Sequence, residues 1–230
     1  MKNKIRIGGL NRFEIILWSA SAVVIIASSL LSGHIDYFSV IGSLIGITSL
    51  IYLAKGYAVG QVLMIIFSLF YGTVSYFTQY YGEMITYLCM TMPMAVVGLV
   101  QWLRNPYKDT KEVKVSKVSK KQAALMYFSA VCVTAAFYFV LKALGNASLI
   151  ISTISITTSF IAAYLTALRS PYCTLCYGCN DVVLIALWTI ASIKDPQNIS
   201  MVACFATFLV NDLYGFYSWK KMEKRQNKNL

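Results

Sequence analysis

The chain alternates long apolar blocks with short polar interruptions. Eight blocks stand out, at about 13–32, 38–54, 58–79, 83–103, 123–144, 148–168, 172–192 and 199–219, each with almost no charge. Each has 17 or more residues, the length a helix needs to cross roughly 30 Å of hydrocarbon. Most links are short, such as "SGHIDY", "KGYA" and "QYYGE", so consecutive helices are expected to run antiparallel and re-enter the bilayer at once. One link is long and polar, "RNPYKDTKEVKVSKVSKK" at 104–121. The pattern predicts an all-α polytopic membrane protein of about eight transmembrane helices, with the lipid bilayer as its first partner.

Composition sharpens this. The chain is 58% hydrophobic and 13% charged, against about 45–50% and roughly 25% for an ordinary globular domain. A net charge of +11 would suit a nucleic-acid binder, but its placement argues against one. Lys2, Lys4, Arg6 and Arg12 precede the first block, and Lys55, the 104–121 loop, Arg169 and the tail "KKMEKRQNKNL" follow at every second connection. The alternate links carry only His34 and Asp36, Glu83, no charge, or Lys194 with Asp195. Positive charge is retained on the cytoplasmic side of membranes, so both termini and the long loop are expected there. The first block could be read as a cleaved signal peptide, since a basic head precedes it and "SSLLSG" offers small residues. Its length of about 20 residues favours a retained span.

Sliding the chain along itself by 117 positions aligns 58–105 with 175–222 without a gap. Gly98 then falls on Gly215, Trp102 on Trp219, Tyr71 on Trp188 and Arg104 on Lys221. The blocks 38–54 and 148–168 extend the match with a small length adjustment. The expected organisation is a basic head and extra helix (1–33), a first three-helix repeat (34–104), a basic loop and connecting helix (105–147), a second three-helix repeat (148–219) and a basic tail (220–230). One span between the triplets leaves them parallel, a transporter design in which solute sits between repeats near the midplane. A duplication without transport is the structural alternative.

Charge inside the membrane is the strongest chemical signal. Asp181 and Asp212 lie within spans, each preceded by asparagine, Asn180 and Asn211. They fall about nine and seven residues from the expected cytoplasmic ends of their helices. At about 1.5 Å per residue, that puts both roughly 10–14 Å deep. A buried acid is costly, so it is paired or functional. A hydrogen-bond network tying the two helices together competes with a role in lining a solute path. Tyr177, Asp181 and Trp188 share one helix face, as do Asn211 with Tyr214, and Asp212 with Gly215 and Trp219. The equivalent positions in the first repeat are apolar, so Gln61, Tyr71, Tyr87 and Thr91 are its available polar contributors. Carboxylates, amides and rings together suit a ligand with a ribose diol and a flat, cationic ring. Trp102 and Trp219 read as interface anchors beside basic residues, Glu83 as a solvated helix-start charge, and Pro93 as a weak point in its helix.

The stretch "CTLCYGCND" (173–181) raises metal or thiol chemistry. Cys173, Cys176 and Cys179 share one helical sector, but no His or further Cys completes a site, and a reducing cytoplasmic side disfavours a disulfide. Close helix packing is the simpler role. No metal and no cofactor is expected, and a membrane thiol oxidoreductase is the remote alternative. No ATP-binding Gly-rich loop is present, so primary active transport by this chain alone is not expected; the chain is expected to be a carrier and not an enzyme.

Three stretches, "YGEMITYLCMTMPMAVVGLVQWLRNPYK" (81–108), "SPYCTLCYGCNDVVLIALW" (170–188) and "NDLYGFYSWKKMEKRQ" (211–226), resemble the PnuC family of bacterial vitamin transporters. The resemblance covers most of the chain from about residue 36. It implies a SWEET-like fold of three, one and three helices in the bacterial inner membrane. It also implies nicotinamide riboside as substrate and facilitated diffusion, with a cytoplasmic riboside kinase trapping the solute for NAD synthesis. Asn180, Asp181, Asn211, Asp212 and Tyr214 are the positions it carries over as substrate-binding; Tyr177, Trp188 and Gln61 join them from the reading of faces above. Many members have a Trp-x-x-Trp pair near the start of the span that holds Asn180. Cys173 and Cys176 stand there in this chain, which leaves stacking to Tyr177, Trp188 or Tyr214. A same-fold carrier for another vitamin, nucleoside or sugar stays open, as does assembly into a homo-oligomer.

Overall fold

Among the described residues, eight helices are long and apolar enough to cross a membrane, and the protein is an integral membrane protein. The structure, a computed structural model, describes residues 9–31, 37–146 and 148–228. Lys2, Lys4, Arg6 and the His34–Asp36 link therefore lie outside the described residues. The helices are α1 (Arg12–Leu31), α2 (Tyr37–Ala54), α3 (Val59–Phe77), α4 (Tyr81–Arg104), α5 (Lys120–Ala143), α6 (Leu149–Ala167), α7 (Cys173–Lys194) and α8 (Ile199–Lys228). A short turn, Pro196–Asn198, leads into α8. No strand occurs among the described residues; the nearest approach is two isolated bridges, Tyr57–Glu112 and Pro106–Val113.

Six helices close into a ring. α2 packs on α3, α3 on α4, α4 on α6, α6 on α7, α7 on α8, and α8 back on α2. α1 lies outside, against α2 and α8, and α5 lies outside against α6. Small residues allow the closest approaches. At Gly46 an added Cβ would sit 2.3 Å from Phe208 Cζ, so α2 and α8 can meet only with glycine there.

Four helix ends share one geometry. After α2, Gly56 (φ 67°) donates to Leu53 O and Tyr57 donates to Tyr52 O, a Schellman cap. The same pair of bonds closes α3 at Gln79 (φ 61°), α5 at Gly145 (φ 66°) and α6 at Arg169 (φ 59°). Left-handed backbone suits glycine; Gln79 and Arg169 hold it with side chains.

α4 is irregular where the sequence predicted weakness. Its ladder switches to π geometry over Thr86–Thr91, directly before Pro93. Proline supplies no N–H and its ring crowds the carbonyl four residues back, so the bonds on that side shift to wider spacing.

The 105–119 segment was expected to be a solvated loop, and it is a strap instead. Val113 is buried and donates to Gly56 O, Val115 donates to Gln226 Oε1, and Ser116 donates to Arg169 O. Gln226 Nε2 returns a bond to Val113 O, and Arg225 pairs with Glu112. The strap thus joins the α2–α3 turn, the α6–α7 turn and the end of α8, which runs on past residue 219 to Lys228. These elements mark one end of the ring, the basic face. The α3–α4 and α7–α8 turns mark the opposite face.

Trp102 and Trp219 are not interface anchors. Both are buried, with ring centroids 5.5 Å apart. Trp102 Nε1 donates to Thr166 O and Trp219 Nε1 donates to Leu53 O, both at 2.9 Å. A tryptophan whose N–H is satisfied by protein has no need of the headgroup region.

Candidate functional site

Four of the sequence-derived residues meet inside the ring. Asp181 (α7) and Asp212 (α8) are buried, with their carboxyl groups in electrostatic range of each other. Asp181 Oδ2 has no partner. Tyr177, one turn before Asp181, lies in electrostatic range of both aspartates. Asn180 is buried, and its Oδ1 accepts from Thr158 Oγ1 at 2.8 Å and from Ser155 Oγ at 3.3 Å, both on α6. Asn180 therefore joins α7 to α6, while its aspartate neighbour faces α8. Glycines flank this layer: a Cβ at Gly215 would lie 2.9 Å from Thr174 Cγ2, which holds α8 close to α7.

The other four are placed elsewhere. Asn211 turns to α1, donating to Ser21 Oγ at 2.9 Å and to Thr207 O, with its Oδ1 unsatisfied. Tyr214 also faces α1, donating to Glu14 Oε1 at 2.9 Å. Glu14 in turn pairs with Lys55 at 2.9 Å and accepts from the Asn11 N–H, while Asn11 Oδ1 accepts from the Glu14 N–H, a reciprocal capping arrangement. This cluster lines a cavity of about 430 Å³ on the basic face, with Tyr57, Ser218 and Lys221. Gln61 is buried near that end, against Gly98, with Nε2 unpaired. Trp188 lies toward the opposite face, fully buried, its Nε1 donating to Tyr71 Oη at 2.8 Å.

Aromatic rings fill the ring axis between Trp188 and the aspartates. Tyr71 contacts Tyr87 at 4.2 Å, Phe205 at 5.3 Å and Trp188 at 6.2 Å between centroids, and Tyr80 packs on Trp188 at 5.2 Å. Beyond Tyr80 a second cavity of about 340 Å³ opens at the opposite face, lined by Gln79, Ala191, Lys194, Asp195 and Asn198 among others. Tyr71 and Tyr87, named from the sequence only as available contributors, are at the centre of this column.

Glu83 was expected to be solvated and is the largest correction. It is fully buried, and neither carboxylate oxygen has a hydrogen-bond partner. α4 begins at Tyr81, and Gly82 N is tied to Asn146 Oδ1, so Glu83 points into the bundle instead of ending it. Ser155, Thr158, Ser21 and Glu14 were also missed. Hydroxyls are common in membrane helices, so their spacing gives no signal, but Glu14 could have been noticed as an acid in the first turn of an apolar span.

The cysteines do not converge. Cys173 is buried, Cys176 partly buried and Cys179 exposed, and among the described residues all six are free thiols.

A closed ring of lipid-length helices around a buried acidic and aromatic layer is an architecture that suits a membrane transporter. A profile described as nicotinamide mononucleotide transporter matches residues 36–221, and the chain belongs to that family. It is similar to the nicotinamide riboside transporter PnuC of Neisseria mucosa, at 24% identity across 96% of this chain and 85% of that one. The PnuC of Haemophilus influenzae is 23% identical, over 96% and 95% of the two chains. Its fold matches the crystal structure of the vitamin B3 transporter PnuC with a TM-score of 0.82 and 23% identity, covering 96% and 95%.

Proposed function

We propose that this protein carries nicotinamide riboside through a bacterial inner membrane by facilitated diffusion. The solute is held between two parallel three-helix units, 34–104 and 148–219, bridged by α5 and flanked by α1. A cytoplasmic kinase that phosphorylates the riboside keeps uptake downhill, and the basic face with both termini is cytoplasmic. The observation that carries this reading is the Asp181–Asp212 pair, with an unsatisfied oxygen on Asp181, beneath a column of tyrosines. A pyridinium ring is a flat cation that can face carboxylates and stack on tyrosine, and ribose hydroxyls can donate to the same oxygens. Family membership and the names of the relatives agree with it.

The repeat plan draws on pairs at equal sequence offset that meet in space. Trp102 and Trp219 touch, Tyr71 and Trp188 share a hydrogen bond, and each of the first two donates to the end of the other unit's first helix. A two-fold axis along the bundle would produce such self-pairing at its centre.

A second reading, the mononucleotide, follows from the family's description. It fits less well, because the buried layer holds carboxylates and no Lys or Arg among the described residues, and a phosphate there would face like charge unpaired. Calorimetry of the purified protein against nicotinamide riboside, nicotinamide mononucleotide, nicotinamide and thiamine separates these. Riboside binding with a weak or absent response to the mononucleotide supports the proposal. Tight mononucleotide or thiamine binding without riboside binding refutes it.

A further inference from the structure

Two buried acids among the described residues lie outside the proposed binding layer; Glu14 is paired with Lys55 and Tyr214, whereas Glu83 has no partner, and its surroundings point to a ligand. It lies at the start of α4, on the opposite-face side of the aspartate pair, with no donor to either oxygen. Two nearby donors are engaged with other groups. The Ser155 hydroxyl lies alongside but is turned to Asn180 Oδ1 at 3.3 Å, and the Trp188 N–H is given to Tyr71 Oη. A buried carboxylate without hydrogen bonds or a counter-charge is strongly unfavourable, so the group either stays protonated or gains a partner, and a cation entering from outside the fold would supply one.

The shape of that partner is set by the rings. Glu83 is in electrostatic range of the hydroxyls of Tyr71 and Tyr87, and Tyr87 is in range of both Glu83 and Asp181. Tyr71 and Tyr87 are 4.2 Å apart, with Trp188 behind Tyr71 and Tyr80 behind Trp188, next to the 340 Å³ cavity. A carboxylate beside stacked rings is the environment that accepts a flat organic cation. Ser155 also joins the two acidic layers, since rotating its hydroxyl from Asn180 to Glu83 exchanges one acceptor for the other.

We propose that Glu83, with Tyr71, Tyr87 and Trp188, forms a second cation subsite, through which a flat organic cation passes between the opposite-face cavity and the Asp181–Asp212 layer. The rings fill the subsite when it is empty and part around the cation. The identity of that cation rests on the riboside reading; the subsite itself requires only a delocalised positive charge.

The test compares wild type, Glu83→Gln and Glu83→Asp in proteoliposomes, with charged nicotinamide riboside and its neutral dihydro form. Glu83→Gln is expected to raise KM for the charged riboside at least tenfold and leave the neutral form unchanged, while Glu83→Asp stays near wild type. Thermal unfolding of each variant in detergent checks the fold. Wild-type KM for the charged riboside in Glu83→Gln, or equal losses for both forms, overturns the subsite. If wild type ignores the riboside altogether, the substrate reading fails, and N-methylpyridinium becomes the probe. Binding of that cation to wild type and not to Glu83→Gln then still upholds the subsite, and equal binding overturns it.

Discussion

Asp181 and Asp212 come from different helices to one point, and each owes its effect to the other. In the proposed function the pair is what meets the cation, while Asn180 and Asn211 lock the helices to α6 and α1. Replacing one aspartate by asparagine keeps the shape and halves the charge. Charge-assisted hydrogen bonds contribute about 1.5–3 kcal/mol, so Asp181→Asn and Asp212→Asn should each weaken riboside binding about 10–100-fold by calorimetry. Asn180→Ala should act differently, by freeing Ser155 and Thr158 and loosening α6 from α7, with a fall in melting temperature alongside weaker binding. Both aspartates were legible in the sequence because an acid in an apolar block has no routine explanation. Glu83 was not, since two residues of uncertainty in where α4 begins moved it from a helix end to the interior. Tyr214 was expected in the site because it shares a face with Asn211 and the family resemblance carries it over, and that face of α8 meets α1 and Glu14.

At the scale of elements, caps and close approaches decide the geometry. Gly56 holds a left-handed cap that also receives the strap through Val113. A side chain there costs about 1–2 kcal/mol in backbone strain, so Gly56→Ala should lower the melting temperature in detergent and expose the 105–119 strap to protease. Gly46→Val should be more damaging, because its first added carbon would already overlap Phe208. In α4, Pro93→Ala supplies the missing N–H and should draw the Thr86–Thr91 segment back toward α geometry, turning Tyr87 away from the axis. Slower uptake with unchanged thermal stability would be the sign of that change. Span number and most boundaries were readable to within a few residues, as apolar length is a direct physical requirement of the bilayer; the exception is α8, which continues past the apolar block to Lys228. Helix facing was not. A membrane helix is apolar on both its lipid side and its core side, so Trp102 and Trp219 gave no hint that they are core residues that meet each other. The strap was hidden for the opposite reason: its lysines dominate the pattern, and the buried Val113 and Tyr107 are isolated among them.

For the whole molecule, a column of rings fills the axis between the aspartate pair and the opposite-face cavity, and the proposed solute path would have to open it. The basic-face cavity is walled by Glu14, Lys55 and Tyr214, and the opposite one ends at Tyr80 on Trp188. Passage of the proposed solute requires the rings to part, and the contacts of Tyr71 on α3 with Trp188 on α7 and Phe205 on α8 are the ones across the axis that would open. The most direct test of the account is uptake of nicotinamide riboside by proteoliposomes that hold only this protein. Saturable entry down the riboside gradient is predicted, unaffected by ATP or a protonophore and abolished in an Asp181→Asn, Asp212→Asn double variant. Entry that needs a proton gradient, or that survives loss of both aspartates, would contradict it.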